Sequence, residues 1–125
     1  MHAPAFTNKE QVMGLKVSVA KHKDYPIVKL EGRVIGVDDR KFGNKMETLF
    51  KKNHEKILVD VSDTEFIDSH GVGIIVYYHT LMRKANRELV LLNTNPNPVS
   101  YMARLFEMTN LNKVLNVVPS LETVS

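Results

Sequence analysis

The chain has 125 residues, 43% hydrophobic and 25% charged, a size and balance that suit one domain with a real core. A net charge of +3, from Lys and Arg scattered without a dense block or an aromatic-interleaved stripe, argues against a nucleic-acid surface. The absence of cysteine excludes disulfides and thiolate metal sites and fits a cytoplasmic protein. No apolar run approaches the roughly 20 residues of a membrane helix, and the first residues lack a secretory-signal pattern.

Residues 1–13 are unpatterned and read as a flexible tail, leaving residues 14–125 as the domain. Apolar and polar residues alternate over 15–20, the mark of a half-buried strand. After the Pro-punctuated turn at 22–26, residues 27–34 form a second strand, hairpin-paired with the first. Asp38 or Asp39 can cap a helix in which Phe42, Met46, Leu49 and Phe50 make one apolar stripe. Residues 57–61 are apolar almost throughout, as expected of a strand covered on both faces. A second helix runs from Gly71 to about Arg87, with Gly71, Ile74, Ile75, Tyr78, Leu81, Met82 and Ala85 inward and His79 off that face. Residues 89–92 form another buried strand. Asn97-Pro98 reads as a helix start, with Val99, Met102, Leu105 and Phe106 inward and Asn110 as the stop. Residues 113–118 form the last strand. The order β-β-α-β-α-β-α-β predicts a single α/β domain whose sheet is partly antiparallel.

The stretch Phe66-Ile67-Asp68-Ser69-His70-Gly71-Val72-Gly73 lies where a strand gives way to the second helix, with Ser69 in the N-cap position. Asp68, Ser69 and His70 are not a triad, because neighbours at a helix start point in different directions. No glycine stands two residues before the serine, as a nucleophile elbow requires. Gly71-Val72-Gly73 lacks the third glycine of a dinucleotide fingerprint, and the five histidines show no metal-ligand spacing. From the residues alone Ser69 is a structural cap. Its hydroxyl is also a place where a phosphate would meet backbone N–H groups and the positive end of the helix dipole.

The same eight residues resemble the phosphorylation-site motif of the STAS domain, in particular of the bacterial anti-sigma factor antagonists. The likeness extends over about residues 15–120, through the strands at 57–61 and 89–92, the third helix at 99–111, and Leu30-Glu31-Gly32 before the first helix. It implies a mixed four- to five-stranded sheet with helices packed mainly on one side, and no catalytic activity, cofactor or metal. It further implies that the protein binds a GHKL-type serine kinase acting as anti-sigma factor, is switched off by phosphorylation at Ser69, and is restored by a PPM-type phosphatase. Asp38, Asp68, Ser69, His70, Gly71, Val72 and Gly73 would form the partner surface, without nucleic acid or membrane. Two features depart from the pattern: His70 stands where Ser or Thr is usual, and the approach to the first helix is longer. A STAS scaffold or accessory subunit of a signalling or lipid-transport complex, without the switch, is the alternative. A small nucleotide-binding or hydrolytic enzyme ranks below both, since no second acid/base cluster pairs with Asp68.

Overall fold

The computed structural model describes residues 14–37 and 39–124, so the expected tail at 1–13 and Asp38 lie outside the described residues. Strand β1 (Leu15–His22) turns through Lys23, at φ 56°, into the antiparallel β2 (Tyr25–Val34), with Val19 opposite Val28. Helix α1 (Lys41–Lys51) leads to β3 (Lys56–Asp60), and a short β4 (Thr64–Ile67) precedes helix α2 (Ser69–Lys84). Strand β5 (Glu88–Leu92), helix α3 (Tyr101–Thr109), a 3₁₀ turn at Leu111–Lys113, β6 (Asn116–Val118) and a last 3₁₀ turn at Leu121–Thr123 follow in the described residues.

The sheet runs β1-β2-β3-β5-β6, parallel from β2 onward, and β4 pairs with β2 alone. The sheet forks there. Ile27 to Lys29 of β2 face β3, whereas Gly32 to Val34 face β4 after a register shift at Gly32, whose φ of 98° suits glycine. The buried Thr64 hydroxyl donates to the Leu30 carbonyl at 2.9 Å and ties the fork.

The three helices of the described residues lie on one face. Phe42, Met46 and Leu49 of α1, Ile75 and Met82 of α2, and Met102 and Phe106 of α3 pack on Val28, Leu30, Ile57, Val59, Leu89 and Leu91. The other face holds a smaller cluster of Ile27, Leu58 and Val90, covered by Leu121 and Val124. Leu58 and Val90 are apolar on account of that cover, which is why β3 and β5 read as continuous apolar runs. Each helix is followed by an asparagine in the left-handed region, Asn53, Asn86 and Asn110, whose short side chain tolerates that conformation.

The mixed sheet with one-sided helices is as the sequence leads one to expect, with six strands among the described residues instead of four to five. The added strand is β4, four residues long and too short to carry a period. The second helix starts at Ser69, two residues before the expected Gly71, and ends at Lys84, leaving Ala85 exposed. His79, expected off the inner face, is only 9% exposed. Arg87 lies past the helix end: its Nε and one Nη donate to the carbonyls of His54 and Phe50, at 2.8 and 2.9 Å, locking the ends of α1 and α2 together. The third helix starts at Tyr101 with Ser100 as cap, because the Asn97 side chain is used in a tight turn onto Val99 N–H. Val99 is consequently exposed and not inward. Of the expected last strand at 113–118, residues 116–118 are extended and 111–113 form the 3₁₀ turn.

Candidate functional site

The Ser69 segment is built on an aspartate. Asp68 is the N-cap of α2, and its carboxylate Oδ1 accepts from Gly71 N–H at 2.7 Å. The sequence-based assignment of Ser69 as the cap is therefore corrected by one position. Ser69 is the first helical residue, and its side chain is exposed. The same Oδ1 accepts from Gly36 N–H at 3.2 Å, while Asp68 N–H donates to the Val34 carbonyl at 3.0 Å. One residue thus caps α2 and staples the β2–α1 loop to it.

The glycines differ in role. Gly71 is buried, and a Cβ there would come within 2.7 Å of Ile67 Cγ1 and 2.9 Å of Val34 Cγ1, so its smallness serves the core. Gly73 is exposed and a Cβ there would meet nothing within 4 Å, so no internal packing requires glycine. Val72 is half-buried and His70 exposed. The His70 ring crosses to the β2–α1 loop, where its Nδ1 lies in the place a Cβ on Gly36 would take. Of the expected partner surface, Asp68 through Gly73 form one continuous helix start. Asp38 lies outside the described residues, though its neighbours Gly36 and Val37 border the same place.

Beside this helix start is a groove of about 340 Å³ between α1 and α2. Gly36, Val37 and Arg40 line one side, His70, Ile74 and Tyr77 the other. Val37 is 67% and Tyr77 58% exposed, a pair of solvated apolar groups at the groove. Tyr77 meets Tyr78 edge-on at 5.0 Å, and burial, followed by Glu47 and Tyr77, pushes the Tyr78 phenol above its ordinary value. Sequence reasoning marked Gly36 only as a pattern break and did not bring Arg40 or Tyr77 to the site. A glycine between a strand and a helix, matched by another at a helix start, was the available signal.

Behind the motif, Tyr101 of α3 donates its hydroxyl proton to the Ile67 carbonyl at 3.1 Å and accepts from Ile67 N–H at 3.4 Å. It closes the open edge of β4 just before Asp68, and its ring packs on Phe66, which in turn lies under the Arg33 guanidinium. A separate crevice of about 400 Å³ at the fork of the sheet is lined by Ser62, Asn93, Ser100 and Tyr101 among others, with no residue of the helix start.

Fold and site together define a small α/β domain that displays one exposed hydroxyl on a doubly pinned helix start. The model of the STAS domain matches residues 16–124, and the chain belongs to that family. It is 27% identical over 121 residues to the anti-sigma F factor antagonist of Paenibacillus polymyxa, an alignment covering 90% of this chain and all of that protein. Its fold is similar to that of an anti-sigma factor antagonist from Mycobacterium paratuberculosis, with TM-score 0.73 at 18% identity over 87% of this chain and 89% of the other. It is also similar to the Bacillus cell fate determinant SpoIIAA in the phosphorylated form, with TM-score 0.62 at 19% identity, covering 89% and 96% of the two chains.

Proposed function

We propose that this chain is a cytoplasmic anti-sigma factor antagonist that binds a GHKL-type serine kinase and is switched off by phosphorylation at Ser69. The kinase is the anti-sigma factor, and a PPM-type phosphatase returns the chain to its binding state. Family membership and the name of the Paenibacillus relative support antagonism. The observation that carries the switch is the placement of Ser69. It is exposed in the first turn of α2, while the adjacent Asp68 makes the cap. A phosphate on Ser69 adds about −1.5 to −2 charges at pH 7. It does so where the helix dipole favours negative charge, so the fold persists while the surface changes. The γ-phosphoryl group passes from ATP to Ser69 Oγ, which loses its proton, and ADP leaves. Asp68 to Gly73 and the loop holding Asp38 form the docking surface, with Gly73 leaving space for a partner's backbone. Nothing in this role requires the protein to catalyse a reaction.

The test is incubation with ATP and each GHKL kinase encoded in the same genome, followed by intact-mass and peptide mass spectrometry. Phosphate on Ser69 with one kinase, absent in Ser69→Ala, is the expected result. Tight binding without modification would instead favour the second reading, a non-switching STAS scaffold or accessory subunit. His70, in place of the usual Ser or Thr, is the residue that favours it.

A further inference from the structure

The residues on both sides of Ser69 grip the same loop. Asp68 holds Gly36 by its N–H, and the His70 ring lies over Gly36 on the space a side chain there would fill. The two contacts differ in kind. Asp68 is half-buried and its carboxylate makes a second bond to Gly71 N–H, whereas His70 is exposed and meets the loop through the packing of its ring alone, with no side-chain hydrogen bond to it among the described residues. Gly36, Val37 and Arg40 in turn form one wall of the groove beside Ser69. Holding Gly36 in place therefore sets the shape of the surface next to the serine.

We propose that His70 is a positioning residue: its imidazole locks the β2–α1 loop onto the Ser69 segment, and a phosphate on Ser69 draws the imidazole away and releases the loop. The proposal rests on the reading of Ser69 as the phosphorylated residue. An imidazole resting on a glycine Cα gains only dispersion contacts of small individual size. A phosphate on the adjacent residue offers it a charge-assisted hydrogen bond, roughly twice as strong as a neutral one. Arg40, on the far wall of the groove, faces the same space and competes for the same oxygens. Phosphorylation then alters the docking surface in two ways, by charge at Ser69 and by loosening the wall built from Gly36 and Val37. A Ser or Thr at position 70 has no ring to lay over Gly36, so the second effect belongs to chains with an imidazole there.

The experiment uses the full chain with phosphoserine installed at position 69 by genetic encoding, which needs no kinase, and reads amide hydrogen exchange at Gly36 and Val37. The expected result is exchange roughly tenfold faster with phosphoserine than with serine, as for a locally opened loop. In His70→Phe, or in His70→Met should the first variant fold poorly, the side chain covers Gly36 but cannot bond a phosphate, and phosphoserine is expected to leave exchange unchanged. Unaltered exchange in the wild-type chain overturns the proposal, and so does equal acceleration in the substituted one. The result stands whether or not any kinase modifies this protein, so failure of phosphotransfer and failure of the lock are read separately.

Discussion

Replacing Asp68 by Ala removes the acceptor shared by Gly71 and Gly36. We expect a loss of about 2 kcal/mol in urea denaturation, the upper part of the range for a helix cap. Asp68→Asn keeps an oxygen acceptor and loses less. The neighbouring glycines should respond with opposite signs. Gly71→Ala forces a methyl against Ile67 and Val34 and costs about 1–3 kcal/mol. Gly73→Ala meets nothing and should stabilise by about 0.5–1 kcal/mol, since alanine is the better helix former. Equal effects of the two substitutions on the urea midpoint would contradict this geometry. His79 gives a pH-dependent case. Its buried Nδ1 has no hydrogen-bond partner, and burial, followed by Arg83, holds the imidazole below its ordinary value. The folded state therefore binds fewer protons there. Its contribution is present above the ordinary value of 6.5 and is lost as pH falls through the lowered folded value. In His79→Leu the loss of stability between neutral and mildly acidic pH should shrink, as read by paired urea melts.

At the scale of elements, Glu88 joins three strands. It pairs with Lys56 of β3 at 2.9 Å and accepts from Asn116 of β6 at 2.8 Å. The hydrogen bond from Lys56 holds the Glu88 carboxyl below its ordinary value of 4.5, against the opposing effect of burial. That stability is present above the unfolded value and fades as pH falls through the folded one. Because Glu88 is substantially solvated, Glu88→Gln should cost under about 1 kcal/mol at neutral pH, and the difference from wild type should vanish in acid melts. The helices and central strands were legible in the sequence because each carries its own period: Phe42, Met46 and Leu49 at helical spacing, residues 57–59 and 89–92 as apolar runs. Strand β4 was not. Thr64 to Ile67 are extended because β2 has a free edge beyond Lys29, a fact of tertiary pairing that no local pattern encodes. The cap shifted by one residue for a similar reason. Asp68 and Ser69 are both good caps, and the bond across to Gly36 selects the aspartate. The placement of Ser69 at a helix start was readable, but the strand that leads into it is β4 and not residues 57–61. The loop and groove that frame it were not, since Gly36 and Tyr77 are brought together only by the packing of α1 on α2.

Over the whole molecule the two faces of the sheet are unequal. The helices bury one side, whereas Ile27, Leu58 and Val90 on the other depend on Leu121 and Val124, with Lys23 Nζ donating to the Val124 carbonyl at 3.3 Å. Removing the chain from Leu121 onward should lower stability by about 3 kcal/mol, from the area these side chains cover, and raise binding of an apolar dye. It should leave phosphotransfer to Ser69 intact below the melting temperature, because none of the residues removed lines the helix start or its groove.

The empty space at Gly73 also offers a practical handle. The chain contains no cysteine, so Gly73→Cys would create its sole thiol, one turn beyond Ser69, where a Cβ meets nothing within 4 Å beyond the adjoining helix backbone. A fluorophore coupled there would sense solvent and charge at the helix start without disturbing the interior. Because that space is where a partner's backbone would lie, the label should also weaken docking, and binding lost on labelling would mark Gly73 as part of the contact surface.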